Sequence, residues 1–99
     1  MLYVIHCVDF EDALDRRLAN YDAHKAYLAD APVKTVVSGP LVAEGADTMI
    51  GSMFIVEAGS LDEATAFNRN DPFHAARVWA EVRIHPFIMR VDNRGTRME

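Results

Sequence analysis

The stretch Met49-Ile50-Gly51-Ser52-Met53-Phe54-Ile55-Val56-Glu57, followed by Gly59-Ser60-Leu61-Asp62-Glu63, decides the fold. Its first nine residues are rich in β-branched and aromatic side chains and read as a strand, interrupted at Gly51-Ser52. Met49, Met53 and Ile55 lie on one side of the pleat and Ile50, Phe54 and Val56 on the other, so both faces are apolar. Gly59 ends the strand. Ser60 then supplies an N-cap and Glu63 the returning carboxylate of a capping box, with Leu61, Ala64 and Phe67 facing inward. A strand that is apolar on both faces needs two layers of cover, and the helices of one short chain supply only one.

Upstream, Thr35-Val36-Val37 opens a strand that passes Gly39-Pro40 and runs on through Leu41-Val42. Glu44-Gly45-Ala46-Asp47 is a turn of the hairpin kind. Tyr3 to Val8 forms a further strand. Asp9 is the expected N-cap of one helix from Glu11 to about Asp30, with Asp12 three residues on. Leu14, Leu18, Tyr21 and Leu28 make the apolar stripe of that helix, and Pro32 ends it. Downstream, Asn70-Asp71-Pro72 stops the second long helix and starts a short one, with Asp71 as N-cap. The last strand is expected over Val82 to Val91. Pro86 within it demands a sheet edge or a bulge, because proline cannot donate to the ladder.

The resulting order, β-α-β-β-α-β, is the ferredoxin-like arrangement of an α+β fold with an antiparallel sheet. One domain over residues 1–91 and a polar tail over residues 92–99 account for the chain. The sheet face left bare by the helices predicts a homodimer packed sheet to sheet.

Composition narrows the function. The 99 residues fit one domain, and 51% hydrophobic content is that of a globular chain. Fifteen acidic against ten basic side chains give a net charge of −5, which offers no global field to nucleic acid. No apolar run approaches the roughly 20 residues of a membrane span, and Met1-Leu2-Tyr3-Val4-Ile5-His6 lacks the basic start of an export signal. The lone Cys7 suits a reducing compartment, so the expected location is the cytoplasm.

Two polar residues stand out. His24 lies about 80° around the helix from Leu14, at the border of the apolar stripe, and Arg17 is two turns earlier on the same side. The ring can pack on the rim of the core, or imidazole and guanidinium can line a pocket where Arg17 fixes an anionic group. Asp71 is equally two-sided. Asp before Pro is what a helix start asks for, yet a carboxylate beside an imidazole would orient it and raise its basicity. Gly39-Pro40 and Gly51-Ser52 interrupt neighbouring strands, either as bulges or as points where a ligand approaches the backbone.

The remaining candidates are weaker. His6 alternates with Val4 and Val8 on the first strand, His74 is in the first turn of the short helix, and His85 precedes Pro86. No His pair has i, i+4 spacing and no HExxH, Cys-x-x-Cys or EF-hand pattern occurs, so no metal is expected. No glycine-rich phosphate cradle occurs either, so no cofactor is expected. Ser38 and Ser52 adjoin glycines without forming a nucleophile elbow. Cys7, in mid-strand, reads as a small buried hydrophobe.

Taken together, these residues resemble the YciI-like family, the YCII-related domain, from Met1 to about Phe87. The resemblance begins with Met1-Leu2-Tyr3-Val4-Ile5 and Asp9, and continues through Arg17-Leu18, Ala23-His24, Ser38-Gly39-Pro40 and Gly51-Ser52. It is most specific from Ser60-Leu61 through Asp71-Pro72-Phe73 to Pro86-Phe87. It implies a ferredoxin-like subunit of the dimeric α+β barrel superfamily, with a site built from His24 and Asp71. One branch of the family is associated with removing hydrogen chloride from chlorinated hydroxyquinol-type aromatics. Close relatives carry a second arginine, followed by proline, one turn before the histidine; here Tyr21-Asp22 stand there, which leaves Arg17 as the anion clamp.

The expected function is that of a cofactor-free lyase or isomerase acting on a small anionic or aromatic ligand. His24 and Asp71 carry the acid–base chemistry, and Arg17, Gly39, Pro40, Gly51 and Ser52 contact the substrate. The alternatives are a non-catalytic metabolite-binding or regulatory dimer module, and a cofactor-free oxygenase.

Overall fold

The computed structural model describes residues 1–96. In chain order the elements are β1 (Leu2–Asp9), α1 (Leu14–Ala19), α2 (Tyr21–Asp30), β2 (Lys34–Val42), β3 (Met49–Glu57), α3 (Leu61–Arg69), α4 (Pro72–Ala75) and β4 (Trp79–Phe87). A short 3₁₀ turn spans Arg94–Thr96, where Arg94 donates to Asp92 from its backbone and from Nε and Nη2. The last three residues of the expected tail lie outside the described residues. All strand pairs are antiparallel, in the order β2-β3-β1-β4. This is the ferredoxin-like α+β fold, with β4 at a sheet edge and Pro86 opposite Tyr3 within it, where a missing N–H is tolerated.

Three boundaries differ from the expectation. The first helix is two. Asn20 stands between them with φ −109° and ψ 10°, and both its backbone N–H and its Nδ2–H donate to the Arg16 carbonyl. Asp9 caps neither. It ends β1, while α1 begins after Ala13 without a side-chain cap, because the Asp9 carboxylate is committed to Arg17. The last strand runs from Trp79 to Phe87 rather than from Val82 to Val91, since β1 offers partners only from Asp9 back to Leu2. Ile88 and Val91 beyond it are exposed.

The bulges also fall elsewhere. Gly51 and Ser52 pair regularly with Val8 and Cys7, and Gly39 and Pro40 with Met53 and Ser52. The register shifts lie at Thr35/Val37, Leu41/Val42 and Val8/Asp9. Gly51 is required for another reason: a Cβ there would stand 2.3 Å from the Cys7 carbonyl oxygen.

The core lies between one sheet face and the helices. Tyr3, Ile5 and Cys7 of β1 and Phe54 and Val56 of β3 are buried against Ala64, Phe67 and Phe73. Ser60 accepts from the Glu63 N–H as the capping box requires, and the Glu63 carboxylate accepts in turn from Gly59. The opposite face carries Val4, Val37, Met53 and Ile55, all only partly buried, and the exposed His6 and Val8.

Candidate active site

Asp71 is the deepest polar group of the site, 1% exposed. It caps α4, accepting at Oδ1 from the Phe73 N–H at 2.9 Å. The same carboxylate receives His24 Nδ1, 2.9 Å from Oδ1 and 2.7 Å from Oδ2. Cap and imidazole partner are therefore one residue, and the two readings of Asp71 do not compete. An ionised carboxylate can only accept, so a neutral His24 ring paired with it would carry its proton on Nδ1 and keep a lone pair on Nε2. The ring is held flat on Phe73, centroids 4.1 Å apart and planes 6° apart, with Phe54 edge-on at 6.1 Å. Few orientations remain to it.

Arg17 is likewise buried, at 4%. Its Nε and Nη2 donate to the two oxygens of Asp9, both at 2.8 Å, a bidentate pair. Nη2 donates also to Ser52 Oγ at 2.8 Å, which takes a second bond from Trp79 Nε1 at 3.3 Å. The guanidinium lies 5.0 Å from the centroid of Phe73, the ring on which His24 stacks. Arg17 thus has its charge matched by Asp9 and, of its three nitrogens, only Nη1 outside these contacts. As an anion clamp it is largely spent.

A cavity of about 420 Å³ opens beside these groups. Arg17, His24, Gly39, Pro40 and Ser52 line it, so the structure brings together five of the seven expected site residues. Asp71 stands behind His24 instead of in the wall, and Gly51 is absent from the wall. Leu18, Tyr21, Lys25 and Leu28 complete the helical side, with Ser38, Met49 and Phe54 on the sheet side.

The expected apolar stripe is not the buried face of the helices. Leu14, Leu18 and Tyr21 are 37%, 55% and 48% exposed, while the buried residues of α1 and α2 are Arg17 and His24. Tyr21, His24, Lys25 and Leu28 follow i, i+3, i+4, i+7, so one helical face supplies the cavity wall. That spacing was visible in the sequence; an apolar stripe simply looks the same whether it meets a core or a ligand.

Cys7 is outside this chemistry. It is fully buried and takes a contact from Asn68 Nδ2 at 3.7 Å. Burial pushes its thiol up to about 12, so it stays protonated at neutral pH. Burial and the charge of Asp71 also raise the Tyr27 phenol, which donates to the Phe67 carbonyl. His6, His74 and His85 are exposed. Among the described residues no three of His, Cys, Asp and Glu converge as a metal-binding group. No helix among them is long and apolar enough to cross a membrane.

Comparison with known proteins agrees with this architecture. Protein YciI of Escherichia coli O6:H1 is 37% identical over 94 residues, covering 88% of this chain and 96% of the relative. Protein YciI of Shigella flexneri matches equally. Among solved structures, the 5-chloro-2-hydroxyhydroquinone dehydrochlorinase TftG of Burkholderia phenoliruptrix AC1100, in complex with 2,5-dihydroxybenzoquinone, superposes with a TM-score of 0.81. It is 37% identical, over 89% of this chain and 94% of its own. An antibiotic biosynthesis monooxygenase, 15% identical with a TM-score of 0.54 over 90% of this chain and 100% of its own, shares the fold alone. The family model of the YCII-related domain matches residues 1–88, and the chain belongs to that family.

Proposed function

We propose that the protein is a small-molecule enzyme of the lyase or isomerase type, in which His24 is the general base. Nε2 removes a proton from a hydroxyl, or from a carbon next to a carbonyl, of a ligand in the cavity. Asp71 holds the ring through Nδ1 and stabilises the imidazolium formed. Arg17 Nη1 and the backbone near Gly39 are the groups available to a developing oxyanion. The observation that carries the reading is the pairing of a cavity-lining imidazole with a carboxylate 1% exposed. Its likeness to a dehydrochlorinase supports the reaction class, since loss of hydrogen chloride from a hydroxylated ring begins with loss of a proton.

Chloride release from 5-chloro-2-hydroxyhydroquinone serves as the probe of this chemistry. The parent protein is expected to turn it over, and His24→Gln to lower the rate by about 10²–10⁴-fold, the usual contribution of a positioned base. No release by the parent, or an undiminished rate in His24→Gln, contradicts the proposal.

The same reading includes a second subunit. Val4, Val37, Met53 and Ile55 form an apolar patch that the chain's own helices leave uncovered, and a second copy packed on it completes the core. Sedimentation equilibrium is expected to return the mass of a dimer at micromolar concentration, and Ile55→Lys to shift it to monomer. A monomer in the parent would remove this part of the proposal.

A further inference from the structure

We infer that the cavity selects a small single-ring acid, whose reacting end meets His24 while its anionic group is held by Lys25 at the mouth. The inference deepens the proposed function and rests on the cavity being the substrate site.

Charge is the first observation. Among the described residues, Arg17, His24 and Lys25 line the cavity and no aspartate or glutamate does. This is an unusual wall in a chain of net charge −5. An anionic ligand there meets no carboxylate in the wall itself, since Asp9 and Asp71 stand behind Arg17 and His24, and desolvation on entry strengthens what attraction it finds.

The second observation separates the two cations. Arg17 is neutralised by a buried bidentate partner, as described above. Among the described residues the ion-pair partner of Lys25 is Asp22 alone, at 3.9 Å, and that carboxylate is 98% exposed and screened by water. Lys25 Nζ also lies 4.7 Å from the centroid of the Tyr21 ring, another wall residue, which holds the half-exposed ammonium beside the cavity. Tyr21 and Lys25 are about half exposed, whereas His24 is 8% exposed. The cation therefore stands at the entrance and the base at depth.

Shape supplies the third. Leu18, Leu28, Pro40, Met49 and Phe54 make most of the remaining wall apolar, with Ser38 and Ser52 as its polar members. About 420 Å³ is near the lower end of ligand cavities and suits one substituted ring. The substrate named for the dehydrochlorinase carries no carboxylate, so in this cavity it would lack the Lys25 ion pair and bind more weakly than an acid while still reaching His24.

The test compares 4-hydroxybenzoate with its neutral isostere 4-hydroxybenzamide, titrated by calorimetry into the intact protein. The acid is expected to bind about fivefold more tightly, the ratio of a single ordered ion pair. Lys25→Met should abolish the preference by weakening the acid alone, and Lys25→Glu should reverse it. His24→Gln should weaken both ligands and leave their ratio intact. Equal binding of acid and amide, a preference that survives Lys25→Met, or no binding of either at millimolar concentration would each overturn the inference. Because no turnover is read, a Lys25-dependent preference can stand even if His24 proves not to be the base.

Discussion

Replacing Arg17 by methionine is expected to destabilise the protein by about 3–5 kcal/mol, read as a lower urea midpoint with an unchanged slope. The magnitude follows from what is left behind. Arg17 and Asp9 are each 4% exposed in their side chains, and a methionine fills most of the volume while stranding the Asp9 carboxylate without its cation. Ser52 Oγ also loses a donor. The companion experiment isolates the cause: Asp9→Asn added to Arg17→Met removes the stranded charge and should recover a large part of the loss. If Arg17→Met costs under about 1 kcal/mol, Asp9 is solvated in the native state and the buried pair is not a determinant of stability.

Asp71 gives the second large effect, and two substitutions divide its two duties. Asp71→Ala removes the acceptor of both the Phe73 N–H and His24 Nδ1–H. Leaving these buried donors unpaired should cost about 2–6 kcal/mol, the sum of two such losses. Asp71→Asn is different. Its Oδ1 can continue to accept from the Phe73 N–H, and its Nδ2, standing where Oδ2 met the ring, can donate to an unprotonated His24 Nδ1, so the protein should unfold within about 1 kcal/mol of the parent. The charge that stabilises the imidazolium is gone, however, and the rate of proton transfer should fall on the order of 10²-fold. An Asp71→Asn protein that is fully active would reduce the residue to a helix cap.

The fold was legible because its signals are local. Ser60 with Glu63, Pro72 after Asp71, and the two-sided apolar run from Met49 to Val56 each report on residues next to them. The end of β4 was not legible, since nothing in Ile88 to Val91 says that β1 has run out of partners; that is a fact about Leu2. Asp9 was misassigned for a similar reason. A carboxylate after a strand looks like a cap until the burial of Arg17, set by packing on Phe73 and Ser52, claims it. At the site, Arg17, His24, Gly39, Pro40 and Ser52 fell together as expected, because helix phase and strand alternation carry that information. Lys25 escaped notice: a lysine between a histidine and an alanine reads as a solvated face, and only the cavity gives it a direction.

The proposed chemistry depends on the protonation of one ring. It requires that neutral His24 carry its hydrogen on Nδ1, toward Asp71, and keep Nε2 as the basic atom beside the cavity. Long-range ¹⁵N–¹H correlation of the imidazole, on labelled protein at a pH where the ring is neutral, reads this directly. The predicted result is a pyrrole-type Nδ1 and a pyridine-type Nε2 for His24, with the distinction lost or reversed in Asp71→Asn. A pyrrole-type Nε2 in the parent protein would contradict the account, because the nitrogen offered to a substrate would then be a donor and not a base.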